Sequence, residues 1–249
     1  MFKTIGEVKY SDVIRSTSFS QKEILHNIML LHNNGEGFDC DITYSSGKFY
    51  SDTKEAITIP QPKIKMDVFP MFDDVIKIEP LKPLPLEDNS IGSIVIDLPF
   101  VIAKRNLVSK EGSNVMINRF SSFYPTDELF ENYYHWIKEA YRVLKPDGIL
   151  VFKCQATITS ARQLMTPEYS WMMATACGFY TLDQFFLLAK NRLHSGKIKK
   201  QQHARKFTST LYVFKKTDKK KIKYLDFMNE ETEGNFVNNL IHNMTNSKN

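Results

Sequence analysis

The sequence has few of the residues that build a metal site or a disulfide framework. Its three cysteines, Cys40, Cys154 and Cys177, lie far apart and lack the spacing of metal ligands. The six histidines show no ligand spacing either, so we expect no bound metal. An odd number of scattered cysteines argues against a disulfide framework and predicts reduced core residues in a cytoplasmic protein.

Other features are missing as well. No apolar run approaches the roughly 18 residues that a membrane span requires, so no membrane partner is expected. Residues 1–7 lack the apolar core of a signal peptide. The chain also shows no P-loop, no Ser/His/Asp triad and no internal repeat, which removes the commonest competing chemistries.

The chain does contain enough apolar residues for a large core, and its positive charge is strongly localised. It has 249 residues, 42% of them hydrophobic, which predicts one large α/β domain, with two small domains as the alternative. Residues 190–223 hold 13 Lys and Arg against one acidic residue, whereas the remainder holds 20 basic and 27 acidic residues. Such a basic segment predicts a polyanionic partner, and a solvated lysine-rich surface is the alternative.

Apolar periodicity and turn residues predict an alternation of helices and strands. Ser20 and Glu23 form a capping-box pattern, which predicts a helix that ends near Asn34 and Gly35. Thr126 is the predicted N-cap of a second helix, which runs into a turn at 146–148. The other predicted elements are a helix at 167–177 and strands at 38–43, 64–69, 75–78, 93–96, 149–154, 181–190 and 207–215.

The sequence is organised around residues 94–100, where an apolar strand runs directly into four residues of different character. Those four residues are Asp97, Leu98, Pro99 and Phe100. They resemble the [Asp/Asn/Ser]-Pro-Pro-[Tyr/Phe] signature of enzymes that methylate exocyclic amino groups of bases. Together with residues 84–91 and 139–152, they resemble the fourth and fifth strands of the class I methyltransferases, which use S-adenosylmethionine (SAM).

This tetrapeptide has the parts that amino-group methylation needs. An exocyclic amine is a poor nucleophile because its lone pair is delocalised into the ring, so an enzyme must orient and polarise it. The Asp97 carboxylate and a carbonyl of the Leu98-Pro99 backbone would accept its two N–H bonds, with Pro99 keeping that backbone rigid. Phe100 would stack on a base that has been flipped out of a duplex. Leu98 stands where DNA enzymes usually have proline, but rRNA adenine dimethylases have Asn-Leu-Pro-Tyr there.

The resemblance implies the fold and the domain plan. It implies an α/β fold in which a seven-stranded, Rossmann-like class I methyltransferase sheet carries helices on both faces. A single methyltransferase domain would occupy residues 1–228, with substrate-facing insertions at 101–124 and 191–206, and 229–249 would form a polar tail.

The resemblance also implies where SAM binds. The pattern Asp-x-Thr-Tyr-x-x-Gly at 41–47 resembles the first SAM-binding motif of the family, although it lacks the commoner Gly-x-Gly, and an ordinary strand-turn is the alternative. A carboxylate after the second strand would take the ribose hydroxyls. The residues expected to contact the cofactor are Asp41, Thr43, Tyr44, Ser45, Gly47, Asp67 and Glu79.

Basic and amide side chains in the two insertions and beside them are the candidate nucleic-acid contacts. Lysine and arginine would neutralise phosphates, and glutamine can read adenine edges. The candidates are Lys104, Arg105, Arg119, Lys190, Arg192, Lys199, Lys200, Gln201, Gln202, His203, Arg205 and Lys206.

The sequence therefore predicts a SAM-dependent DNA methyltransferase that acts on adenine N6, with cytosine N4 as the less favoured base. Methyl transfer would be direct, without a covalent intermediate. An RNA adenine or guanine-N2 methyltransferase is one alternative, and a non-catalytic nucleic-acid-binding subunit of a heteromeric enzyme is another. The expected partner is DNA rather than RNA, the expected setting is the cytoplasm of a bacterial or phage-infected cell, and a homodimer is left open.

Overall fold

The computed structural model describes residues 13–51, 57–100, 102, 123, 126–159, 161–190 and 203–218. Within these ranges the chain alternates between strands and helices. The strands are β1 (Thr17–Ser18), β2 (Cys40–Asp41), β3 (Ile64–Asp67), β4 (Ile76–Lys77), β5 (Ile91–Asp97), β6 (Leu144–Cys154), β7 (Thr157–Thr159), β8 (Arg162–Leu164), β9 (Tyr180–Leu188) and β10 (Thr208–Lys215). The helices are α1 (Gln21–His32), α2 (Lys48–Ser51), α3 (Thr126–Val143) and α4 (Thr166–Ala176).

Eight of these strands form one mixed sheet in the order β1-β9-β10-β6-β5-β2-β3-β4, and β7 and β8 form a separate hairpin. Strand β10 runs antiparallel to both of its neighbours, β6 and β9, whereas the other pairs in the sheet are parallel. Counted along the chain, the seven predicted strands take the spatial order 3-2-1-4-5-7-6, and the unpredicted β1 is added at the edge beside β9. The predicted α/β class I methyltransferase sheet is confirmed.

Helices cover both faces of the sheet. One core cluster packs α3 and α4 against the sheet and includes Tyr133, Trp136 and Met173. A second cluster packs α1 on the opposite face. Strand β5 contributes side chains to both clusters, because Ile94 and Ile96 belong to the first cluster and Val95 belongs to the second. This arrangement explains why the strand is apolar on both faces.

Helix α1 begins where the capping pattern predicts. The Ser20 Oγ accepts a hydrogen bond from the Glu23 amide at 3.1 Å, which satisfies one of the free amides of the first turn. At the other end, the Gly35 amide donates to the Met29 carbonyl at 2.7 Å. Thr126, predicted as the N-cap of α3, is instead the first residue of that helix, a one-residue difference of the kind that helix ends commonly show.

Two strands, β2 and β6, differ in length from their predictions by four residues or more, and pairing explains both. Strand β2 is shorter than 38–43 because only Cys40 and Asp41 pair with β3 and β5. Strand β6 is longer and begins at Leu144, so the predicted turn at 146–148 lies within it. The Lys216 amide bonds to the Gly148 carbonyl at 2.9 Å, which continues the pairing with the end of β10 through this irregular stretch.

The predicted insertions at 101–124 and 191–206 lie largely outside the described residues, and the tail at 229–249 lies wholly outside them. The limits proposed for the domain therefore stay a prediction. Among the helices that the structure describes, none is long and apolar enough to cross a membrane.

Candidate active site at the carboxyl edge of the sheet

The parallel strands bring three carboxylates to one edge of the sheet. Asp41, Asp67 and Asp97 are the last residues of β2, β3 and β5, which lie side by side in the order β5-β2-β3. Ligands of open α/β sheets bind beyond the carboxyl ends of the strands. This edge is therefore the candidate active site, and it unites residues that lie far apart in the sequence.

The Asp97 side chain is held from two sides and is still partly accessible. Its Oδ2 accepts a hydrogen bond from the Lys153 Nζ at 2.8 Å, and its side chain is 23% exposed. Its backbone amide donates to the Thr43 Oγ1 at 2.8 Å, so the strand end is tied to the loop after β2. The carboxylate is thus charge-paired and reachable, as an acceptor for a substrate amine would need to be.

The rest of the tetrapeptide is anchored in the core. The Leu98 side chain is buried. The Pro99 carbonyl accepts a hydrogen bond from the Tyr133 hydroxyl at 3.2 Å. Tyr133 is fully buried and packs edge-on against Phe152, with ring centroids 5.2 Å apart. Phe100 lies half-buried beyond these anchors, so its position is compatible with the predicted contact to a base.

Asp41 is buried and accepts hydrogen bonds from residues that follow it closely in the sequence. One carboxylate oxygen accepts from the Thr43 amide at 2.7 Å and from the Thr43 hydroxyl at 3.0 Å. The other accepts from the Tyr50 hydroxyl at 2.7 Å. Burial raises the pKa of Asp41 to about 7, and burial likewise raises the pKa of Tyr50. These contacts shape the loop between β2 and α2, which is where the predicted cofactor motif lies.

The conformation of that loop requires glycine at position 47. Gly47 has φ +65°, and a Cβ built on it would come within 2.5 Å of the Tyr44 hydroxyl oxygen. The Tyr44 hydroxyl donates to the Gln61 side chain at 2.6 Å, and the Tyr44 ring stacks on Tyr50 at 6.0 Å. A side chain at position 47 would therefore displace a ring that is fixed on two sides.

Asp67 joins the end of β3 to the same loop. One carboxylate oxygen accepts from the Ser45 amide and the other from the Phe69 amide, each at 2.7 Å. Burial raises the pKa of Asp67, although the side chain stays partly exposed. Glu79 lies exposed just beyond β4. The predicted cofactor residues thus fall along the ends of three adjacent strands.

Eight of the twelve candidate nucleic-acid contacts lie outside the described residues. They are Lys104, Arg105, Arg119, Arg192, Lys199, Lys200, Gln201 and Gln202. Among the four others, Lys190 and Arg205 are exposed and Lys206 is half-buried. The His203 Nε2 lies 3.1 Å from the Ala161 carbonyl oxygen, at the turn between β7 and β8, so this ring contacts the hairpin.

Sequence reasoning missed three residues of the site. Tyr50 and Tyr133 have no local pattern that separates them from ordinary core aromatics. Lys153 did have a signal, because it is the one charged residue in the apolar stretch 149–154. Among the described residues, no group of three His, Cys, Asp or Glu side chains could hold a metal ion.

Fold and site together define a class I methyltransferase with an Asp-Leu-Pro-Phe sequence at the end of its fourth predicted strand. Residues 91–248 match the model of the N6/N4 methyltransferase family, which is described as DNA methylase. Because this match covers well over half of the sequence, the chain belongs to that DNA methylase family. Enzymes of this family take their methyl group from SAM, which is therefore the cofactor.

Solved structures with a similar fold include three methyltransferases. The cytosine-N4-specific PvuII DNA methyltransferase is 17% identical, with a TM-score of 0.39 over 54% of this chain and 45% of its own. A candidate DNA modification methylase from Thermus thermophilus, solved with SAM, is 16% identical, with a TM-score of 0.33 over 60% of this chain and 55% of its own. A SAM-dependent methyltransferase from Methanosarcina mazei is 12% identical, with a TM-score of 0.36 over 72% of this chain and 80% of its own.

The chain thus spans about half the length of the two DNA methylases. No curated protein matches the sequence at a significant level.

Proposed function

We propose that this protein transfers a methyl group from SAM to the exocyclic N6 amine of adenine in DNA. Membership of the DNA methylase family supports amino-methylation of DNA. The Asp-Leu-Pro-Phe motif, with an acid in its first position and the motif order of small phage and bacterial adenine enzymes, supports adenine. The observation that carries the proposal is the partly exposed Asp97 carboxylate, fixed at the carboxyl edge of the sheet beside a backbone anchored by Tyr133.

The hydrogen bonds suggest which acceptors would meet the substrate amine. Lys153 occupies the Oδ2 of Asp97, so the Oδ1 is assigned to one N–H of the amine. The Pro99 carbonyl accepts from Tyr133, so the second N–H is assigned to the Leu98 carbonyl. Two acceptors would orient the amine and draw electron density towards its nitrogen. Phe100 would stack on the flipped base, an interaction worth about 1–3 kcal/mol.

The residues at the ends of β2 and β3 fit SAM in their chemistry. The partly exposed Asp67 carboxylate suits a ribose diol, because it can accept two hydroxyl hydrogen bonds. The glycine loop at 43–47 offers closely approachable backbone for the amino-acid end, and Glu79 lies towards the adenosine end. When bound, SAM supplies an activated methyl group, and Asp41 acts through Thr43 and Tyr50 by holding the loop in shape.

DNA affinity is assigned to the basic segment that flanks β10. Four of its candidate residues are described, and two of these, Lys190 and Arg205, are exposed. Contacts between basic side chains and phosphates release counterions, so binding should weaken steeply as salt is raised. Replacement of Lys199, Lys200, Arg205 and Lys206 by alanine should flatten that salt dependence, whereas an unchanged slope would move DNA contact to residues 101–124.

RNA is the second candidate substrate, and Leu98 is the observation that favours it. Leucine at this position is compatible with the rRNA adenine dimethylase form of the motif. The non-catalytic alternative predicts that SAM does not bind, which calorimetry with SAM tests directly.

The experiment that tests the proposal is product identification. The protein would be incubated with tritiated SAM and, separately, duplex DNA, single-stranded DNA and total RNA, and the nucleosides would be separated by mass spectrometry. We expect N6-methyladenine in DNA. N4-methylcytosine would correct the base, methylation of RNA alone would correct the polymer, and no transfer together with no SAM binding would support the non-catalytic subunit.

A further inference from the structure

Lys153 places a positive charge in an otherwise apolar part of the sheet. Its side chain is only 13% exposed. On β6 it pairs in register with Asp97 of β5 on one side and with Leu211 of β10 on the other. Leu211 is fully buried, so the neighbour on that side offers no charge to balance the ammonium group.

Burying an ammonium group is unfavourable unless a partner compensates for the lost hydration. An apolar side chain, like those at 149–152, could fill this position in the strand without that penalty. The compensating partner of Lys153 is the Asp97 carboxylate, with Nζ and Oδ2 2.8 Å apart. The charge is therefore best understood through its effect on Asp97.

A second contact connects Lys153 to the cofactor loop. Its Nζ lies 5.0 Å from the centroid of the Phe49 ring, within the range of a cation–π interaction. Phe49 belongs to α2, directly after the loop that contains Gly47. Lys153 thus contacts both Asp97 and the helix that directly follows the predicted cofactor loop.

The Asp41 carboxyl group lies close to this pair. Asp41 pairs in register with Val95, two residues before Asp97 on the same strand, so both carboxylates point to the same face. Repulsion from Asp97 contributes to the raised pKa of Asp41, for which burial is the larger cause. A cation hydrogen-bonded to Asp97 offsets that repulsion and also fixes which oxygen faces outward.

We propose that Lys153 is a positioning residue for methyl transfer. It holds the Oδ2 of the Asp97 carboxylate, so that the Oδ1 is presented to the substrate amine. This role rests on the proposed function, because it requires Asp97 to accept that amine. The competing explanation is structural, in which Lys153 only fastens β5 to β6.

A double-mutant cycle separates the two explanations. The variants are Lys153→Met, Asp97→Asn and the combination, with Lys153→Arg as the conservative replacement. Asparagine keeps an oxygen acceptor but removes the charge that Lys153 balances. Single-turnover methylation of DNA at saturating SAM gives the rate, calorimetry gives SAM affinity, and thermal unfolding gives Tm. Lys63→Met is the matched control, because Lys63 pairs with the Asp39 carboxylate at 2.7 Å on the other edge of the sheet.

We expect Lys153→Met to lower the rate on the order of 10- to 100-fold when position 97 is aspartate, since misplaced groups commonly lose that much. In the Asp97→Asn background the same change should alter the rate by less than about threefold. Lys153→Arg should restore most of the rate, and Lys63→Met should leave it near that of the wild type.

Equal rate losses in the two backgrounds, with an active wild-type protein, would overturn the positioning role and leave Lys153 as a structural residue. Rate losses that only follow a lowered Tm would do the same. A wild-type protein that methylates no DNA would contradict the proposed function itself, and the role of Lys153 would fall with it.

Discussion

The two edges of the parallel strands are both rich in acidic residues, but those residues are used differently. At the amino edge, the Asp39 carboxylate accepts from the Gly92 amide at 2.7 Å and the Ser93 amide at 3.2 Å, and it pairs with Lys63. At the carboxyl edge, Asp97 likewise has one lysine partner and is exposed to the same degree, with 23% of its side chain accessible against 24% for Asp39. Neither the number of acids nor their exposure therefore identifies the site. Asp39 differs from Asp97 in that its carboxylate also bonds the backbone amides of a neighbouring strand and so orders the start of that strand.

A network of hydrogen bonds at the amino edge likewise orders backbone segments. The Arg142 guanidinium donates to the carbonyls of Leu84 and Leu86 at 3.1 and 2.9 Å and to the Asp88 carboxylate at 2.7 Å. It also pairs with Glu139, whose Oε2 accepts from the Leu84 amide at 2.7 Å. Residues 84–91, which resemble a family motif, are thus anchored to the end of α3, so their contribution is to the fold.

The largest expected effect is on the rate of methyl transfer, which should depend on an acid of the carboxyl edge and not on one of the amino edge. Asp97→Ala should lower the rate of methyl transfer on the order of 10³-fold, because the substrate amine loses a charged acceptor. SAM affinity and Tm should stay close to those of the wild type. Single-turnover methylation, calorimetry with SAM and thermal unfolding measure the three quantities.

Asp39→Ala is the matched change at the amino edge. Although burial opposes it, hydrogen bonds from Lys63 and Gly92 hold the pKa of Asp39 below its ordinary value. Its removal should lower Tm and leave the rate of the folded protein, measured well below Tm, near that of the wild type. A rate loss as large as that of Asp97→Ala would remove the distinction between the edges.

The second effect concerns Asp41, a residue of the carboxyl edge. Both of its carboxylate oxygens accept hydrogen bonds from the protein, as those of Asp39 do at the amino edge. Burial raises its pKa in the folded protein from 3.8 to about 7. The unfolded chain therefore loses this proton at lower pH than the folded protein does, and stability falls as pH rises from about 4 to 7. Above pH 7 the penalty is complete and constant.

Asp41→Asn should remove this dependence, because the amide does not titrate. Urea unfolding of both proteins without SAM should show the wild type losing on the order of 3 kcal/mol relative to the variant between pH 4.5 and pH 8. Parallel stability profiles would show that Asp41 is ionised in the folded protein throughout this range.

Local patterns in the sequence predicted a strand at 93–96, which the structure extends to Ile91–Asp97, and they predicted the capped α1 and the position of Asp97 after that strand. Each of these depends on neighbouring residues. The cofactor loop was also predictable as a loop, since Gly47 marks a turn. The contacts that give these residues their chemistry were not predictable. The ion pair between Lys153 and Asp97 joins residues that are 56 positions apart, and it depends on the register between β5 and β6.

The errors in the predicted elements have the same origin. Pro146, Asp147 and Gly148 are turn residues, yet pairing with the end of β10 draws them into β6. The hairpin of β7 and β8 has Ala161 at φ +58° in its turn, where sequence patterns would lead one to expect glycine or asparagine. In β6, pairing with a distant strand overrides the local preference, whereas β7 and β8 form a local hairpin without the usual residue at its left-handed position.

The third prediction tests the amino-edge network. Arg142→Met keeps the aliphatic packing but removes the guanidinium, so two carbonyls and the Glu139 carboxylate lose a donor. The free energy of unfolding should fall by about 2–3 kcal/mol. Urea unfolding measures this, and the methylation rate at a temperature where the variant is folded serves as the control. An unchanged stability would mean that water replaces the guanidinium without loss.

The smallest expected effect lies at Asp67, which both orders the backbone and has an exposed side for a ligand. Its two oxygens accept from the Ser45 and Phe69 amides, and its exposed side is assigned to the ribose of SAM. Asp67→Asn keeps one carbonyl oxygen but loses the charge and one acceptor. Calorimetry should show SAM affinity about 10-fold weaker, since one charge-assisted hydrogen bond is worth at least about 1.5 kcal/mol.

Asp67→Ala should weaken SAM binding further, because the loop after β2 would also lose its bond to the Ser45 amide. The control is Asp74→Ala, which removes an exposed carboxylate that pairs with Lys65 at 2.6 Å and should leave SAM affinity unchanged. If Asp67→Asn binds SAM as tightly as the wild type while Asp67→Ala does not, Asp67 acts only by shaping the loop. The ribose contact would then have to come from another residue of this edge.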